Sequence, residues 1–446
     1  MQHVYIANPG SGYDFECLGV TKNVLTRLTP ALTPRDFSFK SRLKNALEKR
    51  KIMQYVKEYL APHDAKIFLD SGGYDIIEGN IKFKDIDKFI ENYNIFLTEY
   101  QNSFSYIFSL DIPLGFGDPE MLKKETIIKK NRDSLEKSIE VLKQSPELRD
   151  KFIFVYQFKM MEQFDIWNQL YDELDIGEYI THRAVGGLVK LRDESPHIKI
   201  TPFVSMLFRM FYDYVRSKNY VNELRIHVLG IAMERYRFAM TVVEKLFNKF
   251  GEEFGTKVIF TYDTVQTSNQ AHHYKNLKLY TFKRGRVKEH RYDEVNDEIL
   301  SQIYSGKLGQ VKDEIERGKK TGKLDNINTF IPLNLYSTMQ VDELFEYVVN
   351  KKDNHKKTIL DKIEPMIDEE LSSNVVLTII NQLIIDYPVI FKKLDRKKIA
   401  YDLMLISKLW QWYDFDQDLN HLNEITKDYI DYIDFPTFAD LRARPK

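Results

Sequence analysis

"KIFLDSGGYD", residues 66–75, is the stretch from which the fold class can be read. Ile67, Phe68 and Leu69 are consecutive and apolar, so both faces of the strand they form must be covered. That is the mark of a parallel strand buried between helices, not of a strand with one wet face. The run then meets Asp70, Ser71, two glycines and an aromatic residue. A carboxylate stands where a buried strand gives way to a turn.

Further runs of the same kind, each bounded by turn residues, follow the pattern: HVYIA (3–7), YIFSLDI (106–112), KFIFVYQF (151–158), YITHRAVGG (179–187), RIHVLGIA (225–232) and KVIFTYD (257–263). Between them lie segments with apolar residues at helical spacing, among them 83–100, 124–144 and 235–253. Strand and helix alternate, which predicts an α/β fold with parallel strands. An eighth strand is expected between Pro9 and Pro62, near VLTRL (24–28). That count predicts a (β/α)8 TIM barrel over an open sheet. From about Glu298 the pattern is helical only, as in 342–352, 372–386 and 396–414. The chain therefore divides into a barrel domain, residues 1–300, and a helical C-terminal region, residues 301–446, read as a separate domain or an elaborated barrel exterior.

Of the 446 residues, 65 are basic and 66 acidic, so a charged partner must be met by a local patch and not by a global field. The single cysteine, Cys17, allows no intramolecular disulfide and no thiolate metal cluster, and suits a reducing cytoplasm. No metal and no cofactor are expected. No run approaches the roughly 20 apolar residues of a membrane span, so the expectation is a soluble, cytoplasmic protein with no membrane partner.

In a barrel, function sits where the strands end. Those ends carry Asp70 with Ser71, Gly72, Gly73 and Tyr74; Asp111 before Pro113; Gln157; Gly186 and Gly187; Leu229 and Gly230; and Asp263. Each alone reads as a loop cap, a solvated strand end or a turn glycine. Three carboxylates and an amide on one rim repel each other and are costly to desolvate unless a ligand or a reaction uses them.

The motifs DSGGY (70–74), SLDIP (109–113), VYQ (155–157), AVGGL (184–188), HVLGIA (227–232) and FTYDT (260–264) occur in the order and approximate spacing of the tRNA-guanine transglycosylase family, which the chain resembles over about residues 66–290. The resemblance implies a (β/α)8 pentosyltransferase that removes guanine from a polynucleotide and inserts a 7-deazaguanine base such as preQ0 or a derivative. It implies Asp263 as nucleophile and Asp70 as general base. It places Asp111, Gln157 and the backbones of Gly186-Gly187 and Leu229-Gly230 on the base, with Tyr74 stacking on it.

The chemistry of the residues agrees with that assignment. Breaking a purine N-glycosidic bond leaves positive charge at C1′, which one carboxylate can trap, as in retaining glycoside hydrolysis. A second carboxylate is needed to exchange protons with the departing and incoming bases. Asp70 would do this at the end of its strand, with Ser71 beside it and the Gly pair leaving room for a flat base. Asp111 suits the N1–H and N2–H donors of guanine, and an amide such as Gln157 suits O6.

A base must be turned out of its polynucleotide to reach such a rim. The segment after Asp263 carries Lys275, Lys278, Lys283, Arg284, Arg286, Lys288 and Arg291 against Glu289, interleaved with Tyr274, Tyr280 and Phe282. This mixture suits a phosphate backbone, and a solvated hairpin would produce it too. His272 and His273 suit phosphate contact or loop ordering better than metal, because neighbours on a strand point apart. The sequence departs from queuosine-type members of the family: there is no cysteine after Asp263, Asp75 follows SGGY, and TVQTSN (264–269) replaces an Arg- and Gly-containing loop. It is more similar to the zinc-free branch that modifies DNA. DNA is therefore favoured, with tRNA modification and a non-catalytic nucleic-acid-binding subunit as the alternatives.

Overall fold

The computed structural model describes residues 1–6, 13–26, 48–77, 81–112, 124–157, 161–186, 196–231, 233–264, 278–322, 326–364 and 369–434. Eight parallel strands close into a barrel: β1 (Gln2–Ile6), β2 (Asn23–Thr26), β3 (Lys66–Leu69), β4 (Tyr106–Phe108), β5 (Phe152–Gln157), β6 (His182–Gly186), β7 (Glu223–Val228) and β8 (Lys257–Asp263). β1 pairs with both β2 and β8, so the sheet has no edge. The strand expected near 24–28 is β2. The chain is thus an α/β protein with a (β/α)8 barrel and a C-terminal helical region.

Why both faces of each strand are apolar is now clear. Val4, Leu25, Phe68, Phe108, Ile153, Val155 and Ala184 fill the barrel interior. The alternate residues, such as Ile67, Leu69, Phe154, Val185, Ile226 and Phe260, join the surrounding helices in one continuous cluster. At about 25 cal/mol per Å² of apolar area removed from water, this two-sided burial is the main term holding the barrel closed.

The C-terminal helices enter that same outer cluster, through residues such as Leu335, Leu344, Leu405 and Trp412. Buried ion pairs accompany them. Arg235 and Arg237, on the helix Glu234–Gly251 that follows β7, reach Asp402 and Asp342 respectively, and Tyr262 of β8 donates to the same Asp342 at 2.5 Å. The N-terminal ammonium of Met1 lies 2.7 Å from Glu244 and 2.6 Å from Glu346, which ties the entry of β1 to the helix Ile331–Asn350. No described helix is long and apolar enough to cross a membrane.

One departure from the sequence reading matters for the rim. The strand read over 106–112 leaves the regular ladder after Phe108. Ser109 is the cause: its N–H still donates to Ile153 O at 2.8 Å, but its hydroxyl, in place of a backbone carbonyl, accepts from Val155 N at 3.1 Å. Leu110 and Ile112 then turn into the outer cluster while Asp111 remains at the mouth. The basic segment after β8 forms an antiparallel ribbon, β9 (Lys278–Lys283) and β10 (Arg286–Arg291). Its two-residue turn has φ 51° at Arg284 and 74° at Gly285, the left-handed pair that a tight hairpin requires.

Candidate active site at the barrel mouth

Asp70, Asp111, Gln157, Gly186, Gly230 and Asp263 all lie at the C-terminal ends of β3 to β8, around one mouth. Asp111 is the most constrained of them. It is 1% exposed, and it accepts from Ser71 Oγ at 2.5 Å and from Gln157 Nε2. Burial pushes its carboxyl up to about 6, the hydrogen bonds from Ser71 and Gln157 pull it back, and the charge of Asp70 adds to the rise. Asn131, on the helix Lys124–Gln144, holds the segment behind it: Ile112 N donates to Asn131 Oδ1 at 2.8 Å, and Asn131 Nδ2 donates to Ile112 O at 3.0 Å.

The two glycines after Asp70 have different physical reasons. Gly72 sits at φ 84°, where a side chain is strained. Gly73 begins the helix Gly73–Ile77, and a Cβ there would lie 2.7 Å from Asp111 Oδ2. The space expected beside a flat base is therefore occupied, at Gly73, by the Asp111 carboxylate. Asp70 itself is half-buried and accepts from Gly72 N at 3.2 Å. Gly186 plays the corresponding part for Gln157, since a Cβ on it would meet Nε2 at 2.6 Å and Cδ at 2.8 Å. Replacing Gly186 with Ala is expected to push the Gln157 amide off Asp111 and lower stability by about 1–3 kcal/mol, through the loss of a hydrogen bond to a buried charged group. Urea unfolding beside the wild type measures this.

Gln157 is oriented by Asp111. Its N–H is taken by Asp111, and its Oε1, on a residue 7% exposed, is buried with no partner among the described residues. It offers an acceptor, where a donor to O6 was expected. Rotation of the amide would exchange the two.

Asp263 ends β8 and is 6% exposed. Its Oδ1 accepts from Gly230 N at 3.0 Å and lies 3.1 Å from His227 Nε2, while the other ring nitrogen of His227 lies 2.9 Å from Thr261 Oγ1. No described residue donates to Oδ2. Gly230 can present its N–H because it takes φ 74°, and Leu229 N continues the ladder to Val185 O at 2.9 Å.

His227 is a site residue that the sequence reading passed over. It is fully buried inside the barrel, with ring centroids 4.9 Å from Phe108 and 5.9 Å from Phe68. The signal was present, because His227 stands two residues before Leu229 and so on the same inward face. Ser109 and Asn131 carried no comparable signal.

The basic ribbon is placed elsewhere. Register puts Lys283, Arg286, Lys288 and His290 on one face, and Lys278 and Arg291 with Glu289 on the other. Glu289 is held by Lys278, at 2.7 Å, and by Lys393. The first face is therefore basic without an acid among the ribbon residues. β9 runs along the helix Ile331–Asn350, with Tyr280 N donating to Ser337 and Phe282 N to Gln340, and the turn at Gly285 packs on Tyr347. Tyr347 adjoins Glu346, which binds Met1 at the start of β1. The ribbon tip, with Lys283, Arg284 and Arg286, thus points to the end of the barrel opposite the carboxylates. Gly187, His272, His273, Tyr274 and Lys275 lie outside the described residues, as does the side chain of Tyr74.

No protein-family model and no curated protein matches the chain. Among solved structures it is similar to a probable tagatose 6 phosphate kinase from Sinorhizobium meliloti 1021, at 9% identity and a TM-score of 0.34 over 93% of this chain and 99% of that one. At 9% identity and a TM-score of 0.34, nothing is carried from that protein to this chain.

Proposed function

We propose that the protein is a guanine transglycosylase that exchanges guanine in a polynucleotide, with DNA favoured, for a 7-deazaguanine base through an aspartyl-sugar intermediate. One observation carries the reading: among the described residues Asp263 is held through Oδ1, with no donor to Oδ2, at a mouth that also holds the Asp111–Ser71–Gln157 cluster. In this reading Oδ2 attacks C1′ as the C1′–N9 bond breaks, and the bond's electron pair leaves with the purine, which takes a proton from Asp70. Asp70 then removes the N9 proton of the incoming base, N9 attacks C1′, and the Asp263 carboxylate is released. Asp111 and the Gln157 Oε1 present acceptors, which suit the donor-bearing N1–H and N2–H edge of guanine. Adenine, with an unprotonated N1, has no donor to offer Asp111 at that position.

Incubation with labelled guanine and either duplex DNA or tRNA, followed by a denaturing gel, tests this. Incorporation into DNA, with a covalent protein–DNA band, is expected. Incorporation into neither polynucleotide would overturn the proposal, and incorporation into tRNA alone would move the substrate.

The ribbon bears on the polynucleotide and not on the chemistry. Its strands, at about 3.3 Å per residue, carry the basic face some 17 Å down the flank of the barrel, so only a substrate that extends beyond the turned-out base meets it. Replacing Lys283 and Arg286 together with Glu is expected to weaken binding and to reduce the slope of log affinity against log salt by about 2, while the exchange rate at saturating substrate stays within about twofold. An unaltered salt slope in a binding titration would place the phosphate path elsewhere.

A further inference from the structure

We infer that His227 is a positioning residue that makes the Asp263 carboxylate a good leaving group in the second half of the exchange. This rests on the function proposed above and assigns a role to a residue outside the expected site.

The geometry is specific. A carboxylate only accepts, so the 3.1 Å contact to Asp263 Oδ1 requires a proton on His227 Nε2. With Nε2 as the donor to Asp263, the Thr261 hydroxyl, 2.9 Å from Nδ1, can donate to that second nitrogen and so hold this tautomer. Thr261 and Asp263 share the inward face of β8, and His227 pairs with Thr261 across the β7–β8 ladder, so ring and carboxylate are fixed by the same two strands. The Phe68 and Phe108 rings exclude water from around the imidazole. Gly230 N, at 3.0 Å, is the second donor to the same oxygen.

Two donors on Oδ1 fix which oxygen is free to attack. They also treat the two halves of the reaction unequally. In the ester, Oδ2 is bonded to C1′ and Oδ1 is a neutral carbonyl, so the donors are weakly used. As N9 of the incoming base forms its bond to C1′, the C1′–Oδ2 pair returns to the carboxylate and half of the new charge appears on Oδ1. The bonds from His227 and Gly230 strengthen at that moment, as preorganised donors do around a developing oxyanion. In the first half the same donors stabilise the starting carboxylate and give no such help.

The test measures the two halves separately, with His227→Leu and His227→Gln beside the wild type, by trapping the covalent adduct and then adding 7-deazaguanine. His227→Leu fills the space without a donor, and is expected to slow resolution of the adduct by about 10- to 100-fold, less than the loss of a sole oxyanion donor because Gly230 remains. Adduct formation should change by no more than about threefold, so the adduct accumulates. His227→Gln, which restores an N–H at similar reach, should recover most of the resolution rate. A merely structural role would slow both halves together and would not be rescued by Gln. Resolution at the wild-type rate in His227→Leu, or equal behaviour of the two variants, overturns the inference while leaving the transglycosylase reading intact. Absence of any adduct in the wild type overturns both. In the wild type, 15N NMR of histidine-labelled protein should show a His227 ring protonated at Nε2 and not at Nδ1, and the opposite tautomer also overturns it.

Discussion

Asp263→Asn is expected to abolish formation of the covalent adduct and to lower base exchange by about 10⁴-fold or more, because an amide cannot trap the cation at C1′. The fold should tolerate the change. Asn keeps Oδ1 as the acceptor for Gly230 N and His227, and its amide nitrogen replaces an oxygen toward which no described residue donates. No buried hydrogen bond is broken, so urea unfolding should place the variant within about 1 kcal/mol of the wild type. Binding of the polynucleotide, read by titration at fixed salt, should likewise be retained. Appreciable exchange by this variant would remove Asp263 from the role of nucleophile.

Asp111→Asn is expected to act in opposite directions on stability and on base selection. The folded-state carboxyl titrates at about 6, above its ordinary value of 3.8, so the folded protein holds the proton more tightly than the unfolded chain. This group's contribution to stability is fully present below about pH 3.8 and is lost as pH rises through 6, a loss of about 3 kcal/mol from end to end. Asn has no charge to desolvate. Its Oδ1 can accept from Ser71, and its Nδ2 can donate to the Gln157 Oε1, which has no partner among the described residues, once that amide rotates. The stability advantage of the variant over the wild type should therefore widen by about 2 kcal/mol between pH 4.5 and pH 7.5. Urea midpoints at the two pH values measure it, and a constant difference would show that the wild-type carboxyl is not raised. Discrimination of guanine over adenine should fall at the same time by about 1–3 kcal/mol, since an acceptor is exchanged for a group that also donates.

Most of the barrel was legible because its signal is local. Two-sided apolar runs such as 67–69 and 152–156 can only be parallel strands covered by helices, and their alternation with helical spacing predicts the winding. β2 was the hardest to see: it is four residues long, and the 27–47 segment that follows it carries no periodicity to frame it. The acids at the strand ends were legible for the same local reason, as a charge ending an apolar run is visible in one dimension.

What each acid touches was not legible. Asp111 and Ser71 are 40 residues apart, Asp111 and Gln157 are 46 apart, and nothing in either neighbourhood encodes the other. The reason for Gly73 depends on Asp111, and the reason for Gly186 on Gln157, so glycines that read as turn residues prove to be clearances for partners on other strands. The basic ribbon shows the same limit. Its composition predicted a cationic surface, but only the register of β9 on β10 separates Glu289 from Lys283, Arg286 and Lys288, and only packing on Tyr347 turns the tip away from the mouth. Strand, helix and charge are properties of neighbours along the chain and could be read there. The pairing of Asp263 with His227 follows from the register of β7 on β8, and the side of the barrel that the cations occupy from packing of the ribbon on the helix Ile331–Asn350, contacts that bring together residues whose separation in sequence carries no information about them.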